Sequence, residues 1–156
     1  MIKLNFYVQS KNWPRRISKV TKITNKVIKK KTDLNFDKNI NYYLNIILLN
    51  DKKMKKLNLK YKRKNKTTDV LTFVSTFENT DYNKTKYCDI FFSAETIKID
   101  SKKNKINFYD HFTHLLVHSI LHINGYMHKR AIDYIKMQKV EIEVLDKIGL
   151  QNPYLL

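Results

Sequence analysis

The chain has 156 residues, with 31 Lys plus Arg against 14 Asp plus Glu for a formal net charge of +17. Hydrophobic residues make up 42 % and the single cysteine is Cys88, so the fold needs no disulfide framework and no disulfide-linked partner is expected. The longest apolar run, residues 42–49, is broken by Asn45 and too short to cross a bilayer, and residues 1–13 lack the pattern of a signal peptide. A soluble cytoplasmic protein with no membrane partner is expected, built as one domain over residues 1–156.

Ile2–Val8 alternates apolar and polar residues, which predicts a strand. In residues 14–31, Ile17, Val20, Ile23, Val27 and Ile28 recur at helical intervals, and Pro14 suits an early helix position. Residues 42–49 read as a second strand. A short helix over residues 51–59 turns Met54 and Leu57 inward and its lysines outward. Residues 70–74 and 87–92 are rich in β-branched and aromatic side chains and predict two more strands, with the polar link 78–86 as an exposed loop. Ser93 is placed as N-cap of a helix reaching Ile99, with Glu95 in its first turn. A helix over residues 105–124 carries the histidines and is otherwise apolar on most sides, as expected of a central buried helix. A last helix over residues 131–148 stops before Gly149. The sum is a mixed α/β (α+β) single domain, a four-stranded mixed sheet packed with about five helices.

All five histidines, His111, His114, His118, His122 and His128, fall in one short window. Imidazoles four residues apart on a helix lie one turn above the other. Gly125 follows His122 by three residues and can take the left-handed conformation that ends a helix, so the chain can carry His128 back toward the first two rings. Three neutral imidazoles with a fourth position open to solvent is the donor set of a catalytic zinc. His118, His122 and His128 are therefore the expected ligands of one Zn2+. His114 with His118 forms a further i,i+4 pair, and His111 reads as a core histidine or a group supporting ligands or substrate.

The spacing H-x-x-x-H-x-x-G-x-x-H also occurs in metzincin-type peptidases, whose signature places a glutamate after the first histidine as general base. Ser119 stands there instead, and a neutral hydroxyl cannot accept a proton at pH 7 as a carboxylate can. Peptide hydrolysis by that route is not expected. The positive charge points to polyanions, since neutralising phosphates releases counterions. Lys52-Lys53-Met54-Lys55-Lys56 and the run at residues 60–66 concentrate it. Compositional drift toward Lys, Asn and Ile explains the preference for lysine over arginine better than it explains the surplus over acids.

Several separate segments then agree. The stretch His118-Ser-Ile-Leu-His122-Ile-Asn-Gly125-Tyr126-Met-His128 is similar to H-G-x-L-H-L-x-G-Y-D-H. Leu57-Asn58, Tyr61-Lys62 and Thr68-Asp69-Val70-Leu71-Thr-Phe73 match the order of L-N-x-x-Y-R-x-K-D-x-P-T-D-V-L-S-F-P. Asp89-Ile90-Phe-Phe-Ser93-Ala-Glu95-Thr96 is similar to G-D-I-x-I-S-x-E-T, and Met137, Glu141, Gly149 and Pro153-Tyr154 stand at familiar separations. Together these resemble the YbeY endoribonuclease family of rRNA maturation factors, over most of the chain beyond residue 40. Departures include Ser119 for glycine, Met127 for aspartate, Lys62 for arginine, Arg63 for glycine, and Cys88 for glycine. Asn65, Thr67 and Val74 replace Asp, Pro and Pro.

The resemblance implies a zinc-dependent endoribonuclease that cuts single-stranded RNA, with rRNA and ribosomal particles as partners. It further implies 3′-end maturation of the small-subunit rRNA and ribosome quality control. Lys62 or Arg63 would act on the phosphate. Lysine is a point charge without arginine's planar two-pronged donor. Asp89 and Glu95 are candidate bases only by position, with capping or lysine pairing as the alternative, and Thr68 and Asp69 read as holding the turn into the next strand. The rival functional reading is a non-catalytic basic RNA-binding assembly factor with a structural metal.

Overall fold

The computed structural model describes residues 1–78 and 83–155. Its elements, in chain order, are β1 (Ile2–Val8), α1 (Ile17–Ile28), β2 (Ile40–Leu49), α2 (Asp51–Lys62), β3 (Val70–Glu78), β4 (Lys84–Ser93), α3 (Ala94–Lys103), α4 (Phe108–Ile123) and α5 (Ala131–Lys147). The sheet order is β1-β2-β4-β3, parallel except for β3, which runs antiparallel to β4 along the edge. This is the four-stranded mixed sheet with five helices that the patterns predict.

Alternation along β2 explains the layering. Tyr42, Leu44, Ile46 and Leu48 face the main core with Cys88, Ile90 and Phe92 of β4, beneath the helices α1, α3, α4 and α5. Ile47 and Leu49 point the other way, into a smaller core that Met54 and Leu57 of α2 cover with Leu71, Phe73 and Phe91. Between them, Asn45 accepts from Asn5 at 3.0 Å and donates to Asp89 at 2.7 Å, a polar ladder across three strands on the α2 side. Helix α4 runs through the centre, with ten of its residues buried. Trp13 closes the core at one end. Its ring meets Phe108 and Phe112 edge-on, and its Nε1–H reaches the Leu49 carbonyl at 2.8 Å.

Several boundaries differ from the sequence reading. Helix α1 starts at Ile17, after turns that spend Pro14 outside it, and α2 continues to Lys62. The polar link is not a free loop over its whole length. Glu78 ends β3, Lys84 begins β4, and the two are register partners joined by an ion pair at 3.3 Å. Residues 79–82 of that expected loop lie outside the described residues. Polar side chains tolerate the outer end of a hairpin whose faces meet water. Helix α4 begins three residues later than expected, because the Asn107 side chain caps it by accepting from the Tyr109 N–H at 2.8 Å.

Ser93 precedes α3 but makes no side-chain cap there. Its hydroxyl instead donates to Asp51 Oδ1, which also accepts from Thr96 at 2.6 Å and Thr67 at 3.0 Å. Asp51 thereby binds the start of α2 to the β4–α3 junction and to the loop entering β3. Burial pushes its carboxyl pKa upward, but those three hydroxyl donors outweigh burial and hold it below 3.8. Asp51→Ala is expected to cost about 2 kcal/mol in chemical denaturation, since hydrogen bonds to a charged acceptor are the stronger kind. Because the native pKa is depressed, that stabilisation is present above 3.8 and fades as pH falls through the lower native value. The gap between wild type and variant should therefore narrow in acid.

Candidate metal centre

The end of α4 forms because Gly125 can do what its neighbours cannot. It takes φ of +96°, its N–H bonds the His122 carbonyl at 3.1 Å, and the Tyr126 N–H bonds the Leu121 carbonyl at 3.0 Å. This paired closure satisfies carbonyls that a helix end leaves open. The reversed chain brings the His128 ring centroid within 4.7 Å of His122 and 5.7 Å of His118. One donor nitrogen from each of His118, His122 and His128 lies within 4.8 Å of the others.

The ring orientations follow from what holds the opposite nitrogens. Glu141 of α5, only 1 % exposed, accepts from His118 Nδ1–H through Oε1. Its Oε2 accepts from His114 Nε2–H at 3.0 Å and from the Tyr154 hydroxyl. Burial alone would raise the Glu141 pKa, but these donors prevail and hold it at about 2, so it is a carboxylate and accepts only. His122 Nδ1–H donates to the Tyr126 carbonyl at 3.0 Å, within the turn that Gly125 permits. In the neutral tautomer that these hydrogen bonds select, each ring presents its Nε2 lone pair, and those two atoms sit 3.0 Å apart. Two lone pairs facing each other at that distance repel unless a proton or a cation lies between them. Three imidazoles, each free to offer a lone pair, with two backed by a carboxylate and a carbonyl, fit a zinc ion in donor type and support.

The remaining histidines are placed differently. His114 spends its Nε2–H on Glu141, so it supports the trio through that carboxylate and is not one of the three converging donors. His111 is buried as expected of a core histidine, yet its Nε2 has no hydrogen-bond partner among the described residues. Cys88 is fully buried and burial pushes its thiol up to about 12, which makes it a small packed residue. Met127 is exposed in the turn, and among the described residues no acid joins the histidine trio in its place.

Lys62 and Arg63 part company. Lys62, His118, Ser119, His122 and edge residues of β3 line one cleft of about 400 Å³, and the Lys62 ammonium lies 5.6 Å from the Phe73 ring centre. Arg63 caps α2 at φ of +55°, the left-handed position where glycine is usual, and it is absent from that lining. Asp89 sits in the ladder on the opposite sheet face, and Glu95 accepts from the Asp51 N–H at 3.1 Å. Neither reaches the histidines. Asp69 Oδ1 accepts from the Val70 N–H at 2.7 Å, holding the turn into β3 as expected.

The roles of Glu141 and Tyr154 were not read from the residues alone. A signal existed for the first: Glu141 follows Met137 by four residues and precedes Val144 by three, an acid on the buried stripe of α5. Tyr154 lies beyond any periodic element and left no such trace.

Two outcomes follow from this geometry. Glu141→Gln keeps the shape but replaces a two-oxygen acceptor with a single carbonyl oxygen. Zinc affinity, measured by competition with a chromophoric chelator, is expected to fall about 10- to 100-fold. Arg63→Gly relieves a left-handed side-chain residue, so unfolding should cost about 1 kcal/mol more in denaturant titration.

A family model described as Endoribonuclease YbeY matches residues 7–149. The chain is 37 % identical to Endoribonuclease YbeY of Ehrlichia chaffeensis, over 99 % of this chain and 97 % of the relative. It is 31 % identical to Endoribonuclease YbeY of Bartonella quintana, over 99 % and 98 % of the two chains. In fold it is similar to the solution structure of TM1509 from Thermotoga maritima, with a TM-score of 0.58 at 21 % identity over 95 % of this chain and 91 % of that one. With the family model matching residues 7–149 and a relative 37 % identical over 99 % of this chain, the chain belongs to the YbeY family.

Proposed function

We propose that this protein is a zinc-dependent endoribonuclease that cuts single-stranded RNA in rRNA maturation. Its proposed task is 3′-end processing of the small-subunit rRNA and quality control of ribosomal particles in the cytoplasm. Membership of an endoribonuclease family supports the activity, and no helix among the described residues is long and apolar enough to cross a membrane. The observation that carries the reading is a convergence. Lys62, from the end of α2, shares one cleft with His118 and His122 of α4.

A zinc ion on His118, His122 and His128, when bound, supplies Lewis acidity toward a phosphate oxygen or a water. The chain does the rest. Glu141 and the Tyr126 carbonyl fix which nitrogens face the cleft. The Lys62 ammonium offsets charge building on the phosphate oxygens, with Arg63 adding to the field from just outside. Exposed lysines on α2, including Lys55 and Lys56, hold the RNA backbone without reading its sequence. Ser119 presents no carboxylate, which keeps peptide hydrolysis out of this site.

His122→Ala is expected to abolish RNA cleavage while leaving RNA binding and the circular-dichroism spectrum intact. A chelator should do the same to the wild type, and zinc should restore it. If His122→Ala unfolds, and the folded zinc-loaded wild type cuts no RNA, the protein is a basic assembly factor and the enzymatic reading fails. Lys62→Ala should lower kcat roughly 100-fold. Lys55→Ala with Lys56→Ala should instead weaken binding and flatten its log–log salt dependence by about 0.7 per lysine that contacts phosphate.

A further inference from the structure

Asp69, Asp100 and His111 form a second cluster, separate from the histidine trio. One donor atom from each lies within 4.8 Å of the others. They come from three different elements: Asp69 from the turn before β3, Asp100 from α3 and His111 from α4. Asp69 commits Oδ1 to the Val70 N–H, leaving Oδ2 facing His111 Nε2 at 3.8 Å, too far for a hydrogen bond. His111 is 8 % exposed, and its Nε2 has no partner among the described residues. A buried nitrogen without a partner costs the full desolvation of that group, so an orphan aimed at two carboxylates calls for a ligand.

The charges point the same way. Burial and the neighbouring Asp69 and Asp51 carboxylates push the Asp100 pKa up against His111 and Lys103. Burial also lowers the His111 pKa, against the pull of Asp69 and Asp100, which favours a neutral ring with a lone pair to give. In a chain of formal charge +17, two carboxylates and a buried imidazole gather here, with Lys103 the lysine that acts on Asp100.

We propose that Asp69, Asp100 and His111 bind a divalent cation, with two carboxylate oxygens, one imidazole nitrogen and water completing its shell. Two oxygens and one nitrogen suit Mn2+ better than the all-nitrogen trio does. A cation at the centre of three donors that all lie within 4.8 Å of one another sits at most roughly 2.8 Å from each, so side-chain shifts of about half an ångström reach bonding distance. The ion would brace the entry to β3, α3 and the first half of α4 against one another, two turns before His118. The site stands independently of whether the trio holds zinc.

The test uses the full chain, first given one equivalent of Zn2+ and then titrated with Mn2+ alone, following the free-ion signal by electron paramagnetic resonance. One tightly held Mn2+ per chain is expected, weakened roughly tenfold or more in Asp100→Asn, with bound zinc unchanged. His111→Gln should match it. No Mn2+ uptake, or uptake that ignores both substitutions, overturns the proposal and leaves a water-bridged Asp–His pair. Should either variant fail to fold, wild-type crystals soaked in Mn2+ decide by anomalous scattering. A peak between the three side chains supports the site, and its absence there overturns it. Loss of zinc from the trio with Mn2+ retained would count against the proposed function alone.

Discussion

Glu141 holds a full negative charge in the interior, and the geometry around it depends on that charge being shared. A buried carboxylate is costly unless several donors meet it. Here His114, His118 and the Tyr154 hydroxyl all do, from α4 and the C-terminal segment, while the carboxylate itself comes from α5. The same hydrogen bonds that offset desolvation also decide the tautomer of His118. Stability and donor orientation are therefore one problem with one solution, and the C-terminal residues belong to the site through Tyr154.

The turn at Gly125 solves the other half. Helix geometry alone can stack His118 over His122, but it cannot supply a third ring from the same side at the right height. Ending α4 with a left-handed residue turns the chain within a few residues and places the Tyr126 carbonyl on His122 Nδ1. The backbone that delivers His128 thus also orients His122. The chain has only two glycines, and the other, Gly149 at φ of +85°, closes α5 in the same way. In a sequence so poor in glycine, both stand at helix ends where the backbone takes a positive φ that side chains rarely adopt.

Much of this was legible beforehand because it is local. Strand alternation, helical spacing and the i,i+4 histidines with their glycine are short-range patterns, and they located every element of the sheet and every helix. The trio was readable for the same reason, although its role as a metal site remains a proposal. What escaped the residues alone is what three-dimensional packing brings together. Ser93 sits at a plausible cap position, yet Asp51, 42 residues away in sequence, is a better acceptor for its hydroxyl. The hairpin link looked like a loop because polar residues dominate it, whereas register with β4 extends β3 to Glu78. Lys62 and Arg63 are adjacent and alike in charge, and only the left-handed cap at Arg63 separates the one in the cleft from the one outside it.

The distribution of acids sharpens the meaning of the net charge. Several of the 14 acidic residues are engaged inside the fold: Glu141 beneath the histidines, Asp51 at the α2 junction, Asp89 in the strand ladder, Asp69 and Asp100 beside His111. Each lies partly or wholly shielded, so less negative charge remains at the surface to offset the lysines than the total implies. Lys52, Lys53, Lys55 and Lys56 of α2 are exposed, and Lys62 at the helix end lines the cleft. A polyanion drawn by the long-range field would meet Lys62 beside His118 and His122 in that cleft. Electrostatic attraction of this kind brings a phosphate chain to the site but carries no sequence information. Under the proposed function, any choice of cleavage point would come from the shape of the cleft between β3 and α4.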